Sequence, residues 1–378
     1  MKRYITSESV RKGHPDKLSD LMSDSILDAC LREDPMSRVA VETMATAGHI
    51  IVAGELTTKA KVDIEDITRN TLRDAGYSPD RYTLHVLVHP QSEDIKRGVD
   101  NAIETRLTAE EDTGAGDQGT MYGYATDETE ELMPLPLVLS SFIVRTIDEL
   151  WRIGKIQGIG PDGKAQVTVE YEDERPERIS SVVVSVQHDE GKSHESLKAD
   201  IMDILMNLPS GISIDDDTEI LINPSGRFVL GGPEADTGLT GRKIIADTYG
   251  GIAPHGGGAF SGKDPTKVDR SAAYMARAIA RNIVEAGIAS RCLVSLSYAI
   301  GKAEPTAVNI DTYGTGMAPD DEIRDAVIRA FDLRPSAIIR ELGLREPIYA
   351  TTASYGHFLG DFPWERHDRM AELMEALG

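Results

Sequence analysis

The chain has 378 residues, of which 40% are hydrophobic and 27% charged, so a fibrous or wholly disordered protein is excluded. At about 150 residues per domain, this length predicts two or three domains. The net charge of −23 excludes a general electrostatic attraction for nucleic acid or anionic lipid. Any site for an anionic ligand must therefore reverse this charge locally.

The sequence also predicts a cytoplasmic location. No apolar run reaches the roughly 18 residues that a transmembrane helix requires. The N-terminus lacks the apolar segment of a signal peptide. Only two cysteines, Cys30 and Cys292, are present, which excludes a disulfide framework. We therefore expect no membrane partner and no nucleic-acid partner.

Hydrophobic periodicity shows one order of elements three times along the chain. The first copy is predicted to contain a helix at 15–33, strands at 38–43 and 49–56, a helix at 64–75 and a strand at 83–88. The second contains a helix at 137–151, a hairpin of 165–171 with 179–187, a helix at 196–207 and strands at 219–222 and 227–230. The third contains a helix at 265–286, a hairpin within 293–311, helices at 320–331 and 336–341 and a strand at 347–352.

Three such units predict an α+β fold of three domains. Each domain is expected to be a mostly antiparallel sheet with helices on one face. The polar, glycine-containing stretches between the copies give the expected boundaries: an N-terminal domain at 1–100, a central domain at 112–230 and a C-terminal domain at 232–378.

The segment 254–270 is the strongest candidate for a ligand-binding site. Its glycines allow backbone N–H groups to converge on an anion, and a helix is expected to follow with Pro265 in its first turn. Lys263, Lys267 and Arg270 outnumber the two acids of the segment, against the charge of the chain. It lacks the Ser or Thr of a P-loop, since Asp264 stands there. We interpret it as a polyphosphate cradle; a flexible glycine-rich loop with solvated charges is the alternative.

The matching junction of the first copy, 12–17, places His14 and Asp16 at the start of a helix. Asp16 with Asp269 could supply the oxygen ligands that Mg²⁺ prefers. The helix dipole alone also favours an acid there, which is the simpler explanation. The junction of the second copy, 133–137, carries no charge.

Other candidates are weaker on residue type alone. The run 158–163 matches a dinucleotide fingerprint, but a strand pattern follows it, so a Rossmann interpretation fails. Asp162 and Lys164 could face a ligand or be ordinary turn residues. Arg242 and Lys243 are a basic pair that could equally be solvated surface. Exposed strand faces commonly carry acids such as Glu42 and Glu55.

Four motifs together resemble the signatures of the S-adenosylmethionine synthetase (methionine adenosyltransferase) family, and the resemblance runs over nearly the whole chain. They are Gly13-His-Pro-Asp-Lys17, Gly114-Ala-Gly-Asp-Gln-Gly119, Gly238-Leu-Thr-Gly-Arg-Lys243 and Gly256-Gly-Gly-Ala-Phe-Ser-Gly-Lys-Asp264. The resemblance implies attack of the methionine sulfur on C5′ of ATP, followed by hydrolysis of the released tripolyphosphate to pyrophosphate and phosphate. It implies three domains related by a pseudo-threefold axis, in agreement with the repeated order of elements. It also implies a dimer of dimers with active sites between subunits, and Mg²⁺ and K⁺ as cofactors.

The resemblance further implies roles for particular residues. Those implied to be catalytic are His14, Lys164, Arg242 and Lys263. Those implied to bind ATP are His14, Asp162, Lys164, Arg227, Phe228, Asp236, Arg242, Lys243, Ala259 and Lys263. Those implied to bind methionine are Glu55, Gln91, Asp236 and Lys267. The implied metal ligands are Asp16 and Asp269 for Mg²⁺ and Glu42 for K⁺. A gating loop is expected at 91–101.

Two rival functions are compatible with parts of this pattern. One is a polyphosphate-hydrolysing protein that has lost methionine binding, against which Glu55, Gln91 and Asp236 argue. The other is a non-catalytic homologue that keeps only the fold. Such a homologue is expected to lose His14, Asp16 or Lys263, and this sequence keeps all three.

Overall fold

The computed structural model describes residues 2–92, 102–105, 113–209, 211–212 and 214–378. Most of the expected gating loop at 91–101 therefore lies outside the described residues. The strands are β1 (Lys2–Val10), β2 (Arg38–Thr46), β3 (His49–Thr57), β4 (Thr83–His89), β5 (Gly119–Thr126), β6 (Ile159–Glu172), β7 (Arg175–His188), β8 (Glu219–Ile222), β9 (Gly238–Leu239), β10 (Arg291–Tyr298) and β11 (Ala307–Asp311).

Two α-helices of the N-terminal part begin where the sequence provides proline or a capping side chain. Pro15 is the first residue of α1, and the Asp63 side chain accepts a hydrogen bond at the start of α2. The α-helices are α1 (Pro15–Glu33), α2 (Ile64–Asp74), α3 (Leu135–Arg152), α4 (His194–Leu205), α5 (Ile244–Asp247), α6 (Val268–Glu285), α7 (Asp320–Ala330), α8 (Pro335–Glu341), α9 (Tyr349–Thr352) and α10 (Met370–Leu377).

The strands form three sheets of similar plan, which confirms the predicted fold class. The orders are β4-β3-β2-β9, β1-β6-β7-β8 and β11-β10-β5. Every pair is antiparallel except β3–β4 and β7–β8. We call them the N-terminal, central and C-terminal sheets. The first helix of each copy packs on its own hairpin: α1 on β2, α3 on β6 and α6 on β10.

Each sheet also takes an edge strand from another part of the chain. The N-terminal sheet takes β9, the central sheet takes β1 and the C-terminal sheet takes β5. The sequence patterns did not predict these three strands. Because the exchange is cyclic, none of the three sheets is built from one continuous segment.

Two predicted strands are wrong. Residues 227–230 form a loop, since the chain turns at Asn223 and Gly226, both with positive φ. The loop meets β7 through bonds of Phe228 with His188 and through the Val229 carbonyl, which accepts from the Gln187 side chain. Residues 349–352 form the short helix α9. The carboxylate of Asp28 accepts hydrogen bonds from the backbone N–H groups of Tyr349 and Ala350 at 2.9 and 2.8 Å, which caps this helical turn.

The start of the last long helix also differs from the prediction. Helix α6 begins at Val268 and not at Pro265. The carboxylate of Asp264 accepts the backbone N–H and the hydroxyl of Thr266, at 3.0 and 2.7 Å. This local turn competes with helix formation over the preceding residues.

Candidate functional site

The turn before α1 has a fixed conformation. His14 caps the helix, and its Nδ1 accepts the backbone N–H of Asp16 at 3.2 Å. The hydroxyl of Tyr77 donates to the carbonyl of Gly13 at 2.6 Å. A Cβ at Gly13 would lie 2.5 Å from the Cβ of Pro161, so only glycine fits. The predicted loop-to-helix turn is thus held against β6.

Five sequence-predicted residues come together at this turn, and we call them the His14 cluster: His14, Asp16, Lys164, Arg242 and Lys243. Lys243 Nζ lies 2.6 Å from Asp16 Oδ2, and Arg242 Nε lies 3.6 Å from Asp16 Oδ1. Lys164 acts on His14 electrostatically. The α1 turn, β6 and the segment between β9 and α5 therefore supply one charged surface.

Burial and charge set the protonation states in the His14 cluster. Burial, then the charge of Lys243, lowers the pKa of His14 to about 3, with Lys164 adding to the effect and Asp16 opposing it. The imidazole is therefore neutral at pH 7. Burial acts to raise the pKa of Asp16, but hydrogen bonds from Lys243 and the Leu239 N–H outweigh it, so the pKa is lowered and the carboxylate is ionised.

The glycine-rich segment forms a second group, the Lys263 cluster: Lys263, Asp264, Lys267 and Asp269. Lys263 Nζ lies 2.5 Å from Asp269 Oδ2, and Lys267 Nζ lies 2.5 Å from Asp264 Oδ2. The expected excess of positive charge is thus balanced by acids within the cluster. Arg270 was wrongly counted with these cations: it is fully buried and paired with Asp24.

Both clusters lie along one edge of β2. Lys263 forms a bridge with Ala40, and the Gly262 carbonyl accepts the N–H of Val41 at 3.0 Å. Further along the same strand, β9 pairs with residues 44–45. A Cβ at Gly241 would lie 2.5 Å from the Cβ of Ala259, so the two basic segments also contact each other.

The outer face of the N-terminal sheet carries Glu55, predicted to bind methionine, and Glu42, the predicted K⁺ ligand. Ala40 is the register partner of both Glu55 and Lys263, so these side chains share a face. Glu42, two residues from Ala40, lies on this face as well and is exposed. Glu55 Oε1 lies 3.7 Å from His89 Nε2.

The remaining predicted residues are more dispersed. Asp162 is buried, and its Oδ2 accepts the Gly232 N–H at 2.8 Å; burial raises its pKa. Asp236 is exposed beside Thr237, whose carbonyl accepts from Arg242. The remaining three make local contacts outside the two clusters: Arg227 pairs with Glu190, Phe228 bonds with His188, and the Gln91 N–H donates to Thr57.

Sequence reasoning missed the buried acids that support the site. Asp20 and Asp24 lie on α1, at most 1% exposed, and accept the N–H groups of Gly241 and Gly262 at 2.8 Å each. Lys17 pairs with Asp20 at 3.0 Å and with Asp247 at 2.6 Å. An aspartate at every fourth position from 16 to 28 was a visible signal, since such residues share one helix face.

The described residues contain neither a membrane-spanning helix nor a group of side chains that could hold a metal by itself. Among the helices in that part of the chain, none is long and apolar enough to cross a membrane. Over the same residues, no group of three or more His, Cys, Asp or Glu side chains could hold a metal by itself.

Comparison with known proteins agrees with this geometry. Three family models match in order: the N-terminal domain of S-adenosylmethionine synthetase at residues 2–96, its central domain at 112–228 and its C-terminal domain at 230–366. The S-adenosylmethionine synthase of Thermus thermophilus is 52% identical over 390 aligned positions, covering 100% of this chain and 99% of the relative. That of Desulforudis audaxviator is 51% identical, covering 99% and 98%.

The fold and the site therefore define a three-domain α+β enzyme with a charged surface shared by distant segments. The chain belongs to the S-adenosylmethionine synthetase family.

Proposed function

We propose that this cytoplasmic enzyme makes S-adenosylmethionine by attack of the methionine sulfur on C5′ of ATP, and then hydrolyses the tripolyphosphate to pyrophosphate and phosphate. Family membership supports the methionine adenosyltransferase activity. The observation that carries the two-step mechanism is the meeting of both basic segments on one edge of β2.

The chemistry suits a site of cations without a general base. A thioether sulfur carries no proton to remove, so the difficulty is the negative charge that gathers on the departing triphosphate. We propose Lys164, Arg242, Lys243 and Lys263 as the side chains that stabilise this charge. Lys263 is held by Asp269, so the incoming phosphates would have to compete for it.

His14 has a defined part in this proposal. Its Nδ1 accepts the Asp16 backbone N–H, and the ring is neutral, so its proton resides on Nε2. Nε2–H is then free to donate to the oxygen that links C5′ to the triphosphate. Because this oxygen gains charge as the bond breaks, the donor favours the transition state over bound ATP.

The family is generally metal-dependent, and we propose Mg²⁺ at Asp16 and Asp269 and K⁺ at Glu42. All three offer carboxylate oxygen, the ligand that these hard cations prefer. One or two carboxylates per ion are enough for Mg²⁺, because it keeps several waters and binds substrate phosphates directly. When bound, Mg²⁺ neutralises phosphate charge.

The remaining residues are assigned to substrate recognition. We propose that Glu55, Gln91, Asp236 and Lys267 hold methionine. We propose that Asp162, Arg227, Phe228 and Ala259 line the nucleotide site. Glu55 shares its sheet face with Lys263, which supports a methionine amino-acid group beside the polyphosphate.

We further propose a dimer of dimers with active sites between subunits. The outer face of the N-terminal sheet carries Ile51, Ala53 and Leu87 close to Glu42 and Glu55, and Leu87 is 62% exposed. Apolar residues among site residues favour burial of this face by a second subunit. Light scattering of wild type and Leu87→Asp tests this, since the variant should shift the assembly toward monomer with loss of activity.

The test of the activity is direct. Purified protein is mixed with ATP, L-methionine, Mg²⁺ and K⁺, and S-adenosylmethionine and phosphate are followed by chromatography. We expect both products, dependent on methionine. Phosphate without S-adenosylmethionine would indicate a polyphosphate hydrolase and make the methionine assignments wrong. Absence of both from folded, assembled protein would indicate a non-catalytic homologue.

A further inference from the structure

Helix α1 carries a stripe of four buried acids, Asp16, Asp20, Asp24 and Asp28. The four-residue spacing puts them on one face of the helix. Their exposed fractions are 3%, 1%, 0% and 6%. Buried carboxylates are unfavourable unless they are hydrogen-bonded or paired, so each must be explained by its contacts.

Each acid of the stripe accepts backbone N–H groups from a segment distant in the sequence. Asp16 accepts from Leu239 at 3.0 Å, Asp20 from Gly241 and Asp24 from Gly262. Asp28 accepts from residues 349–350. The first two acids therefore fix the segment that carries Arg242 and Lys243. The third fixes the segment that carries Lys263.

The Gly262 contact sets the direction of Lys263. Gly262 has φ +79°, and a Cβ there would lie 1.9 Å from the carbonyl oxygen of Val41, so the chain is wedged between α1 and β2. On one side its N–H meets Asp24, and on the other its carbonyl meets Val41. Lys263 follows in a bridge with Ala40, which puts its side chain on the outer face of the sheet.

Arg270 stabilises the contact between Asp24 and the Gly262 N–H. Its guanidinium binds both oxygens of Asp24, at 2.7 and 2.9 Å, and donates to the carbonyl of Phe260 at 2.9 Å. Lys17 plays the corresponding part for Asp20. Asp28 has no such cation within hydrogen-bond reach among the described residues; its two bonds are to backbone N–H groups of α9.

We infer that Asp20 and Asp24 are positioning residues for the polyphosphate site. Asp20 acts through Gly241 on the Arg242–Lys243 segment, and Asp24 acts through Gly262 and Arg270 on the Lys263 segment. Both basic segments thereby take their geometry from one rigid helix before the substrate arrives. Preset cations stabilise developing charge without a cost of reorganisation. The inference rests on the proposed assignment of these cations to the triphosphate.

Three variants of nearly unchanged volume test the inference: Asp20→Asn, Asp24→Asn and, as the matched control, Asp28→Asn. Asparagine keeps one oxygen for the backbone N–H but cannot hold a cation. Tripolyphosphate with Mg²⁺ is the probe, and its dissociation constant is measured by calorimetry on the assembled protein. We expect Asp20→Asn and Asp24→Asn to weaken binding ten-fold or more, and Asp28→Asn to change it less than two-fold.

Amide hydrogen exchange provides a readout that general destabilisation would not move selectively. In Asp24→Asn, exchange should rise at residues 262–264, and in Asp20→Asn at residues 239–241. In Asp28→Asn, it should rise at residues 349–350 alone.

If Asp24→Asn does not fold, Arg270→Lys replaces it. A cation then remains beside Asp24, but the second hydrogen bond to the Asp24 carboxylate and the bond to the Phe260 carbonyl are lost. We expect this variant to weaken tripolyphosphate binding at least three-fold.

The outcomes separate this inference from the proposed function. Normal tripolyphosphate binding by folded Asp20→Asn and Asp24→Asn would overturn the inference, and so would equal losses in all three variants. A wild type that does not bind tripolyphosphate would overturn it too. A wild type that binds the probe but makes no S-adenosylmethionine would refute the proposed function alone, and the variants would still decide the positioning roles.

Discussion

Helices α1 and α3 are the first helices of their copies, pack on their hairpins and bury apolar residues, but α1 also buries a row of acids. In α1, every fourth residue from 16 to 28 is a buried aspartate. In α3, the same spacing gives Leu135, Leu139, Ile143 and Ile147, all buried. Both helices are long enough to fold onto a sheet, so the difference lies in what the buried face does.

Of these two helices, only α1 holds the segments that form the site. The face of α3 contributes apolar burial, which stabilises the central segment. Helix α1 contributes apolar burial as well, and the first three acids of its stripe also fix the two basic segments. Substitutions beside the acidic face of α1 should therefore affect turnover more than stability. Substitutions in the buried face of α3 should affect stability more than turnover.

The largest effect is expected from Lys263→Ala, which removes a cation from the segment that Asp24 of α1 holds in place. Turnover should fall by roughly 10²- to 10³-fold, the range typical of removing one preorganised donor to developing charge. The oligomer should persist, because among the described residues the Lys263 side chain pairs with Asp269 of the same subunit. Steady-state assays and light scattering measure the two quantities.

The control for this prediction is Lys198→Ala. Lys198 is an exposed lysine on α4, so its removal changes the net charge equally without touching either cluster. Its turnover should match the wild type. Near-normal turnover in Lys263→Ala would refute the cradle assignment.

In α3, Leu139→Ala is expected to lower the free energy of unfolding by about 2–5 kcal/mol, the usual cost of a cavity left by a buried leucine. Leu139 is 0% exposed in the central core. Chemical denaturation measures the change, and kcat of the folded variant should equal that of the wild type.

Ile153→Ala, at a side chain that is 64% exposed, is the control and should cost less than about 0.5 kcal/mol. A lowered kcat in folded Leu139→Ala would break the contrast between the helices.

The sequence predicts this contrast only in part. Periodicity finds α1 and α3 because both follow a helical pattern, and it finds the hairpins because β6 and β7 alternate. It misses β1, β5 and β9, because their partners are distant in the chain and no local pattern encodes a long-range pairing. The charged motifs around His14 and Lys263 are visible as local departures from an acidic chain. The ion pair of Arg270 with Asp24 is not visible, because it joins residues 246 positions apart.

Asp28 should make stability depend on pH in a way that α3 cannot. Burial raises its pKa from 3.8 to about 6 against the opposing backbone hydrogen bonds. The folded state then binds more protons than the unfolded state between these values, so this contribution is present below pH 4 and lost as pH rises through 6. A shift of about two units corresponds to roughly 2–3 kcal/mol.

The measurement is the difference in unfolding free energy between wild type and Asp28→Asn from pH 4 to pH 8. The wild type should lose stability relative to the variant up to about pH 6.5 and then stay level. The difference between wild type and Leu139→Ala should be constant over the same range, since leucine does not titrate. If the difference in unfolding free energy between wild type and Asp28→Asn does not change with pH, the Asp28 carboxylate is not the source of the pH dependence.

The smallest expected effect is also the most selective, and it concerns His14 at the start of α1. Asparagine is a good N-cap, so His14→Asn should preserve the helix start while removing the Nε2–H donor. That donor is proposed to act on the oxygen that leaves C5′, so adenosyl transfer should slow about ten-fold more than hydrolysis of added tripolyphosphate, a difference of roughly 1.4 kcal/mol. Single-turnover assays of both steps measure it. Equal slowing of both steps would assign His14 to general phosphate binding. Rates equal to those of the wild type would leave His14 with its capping role alone.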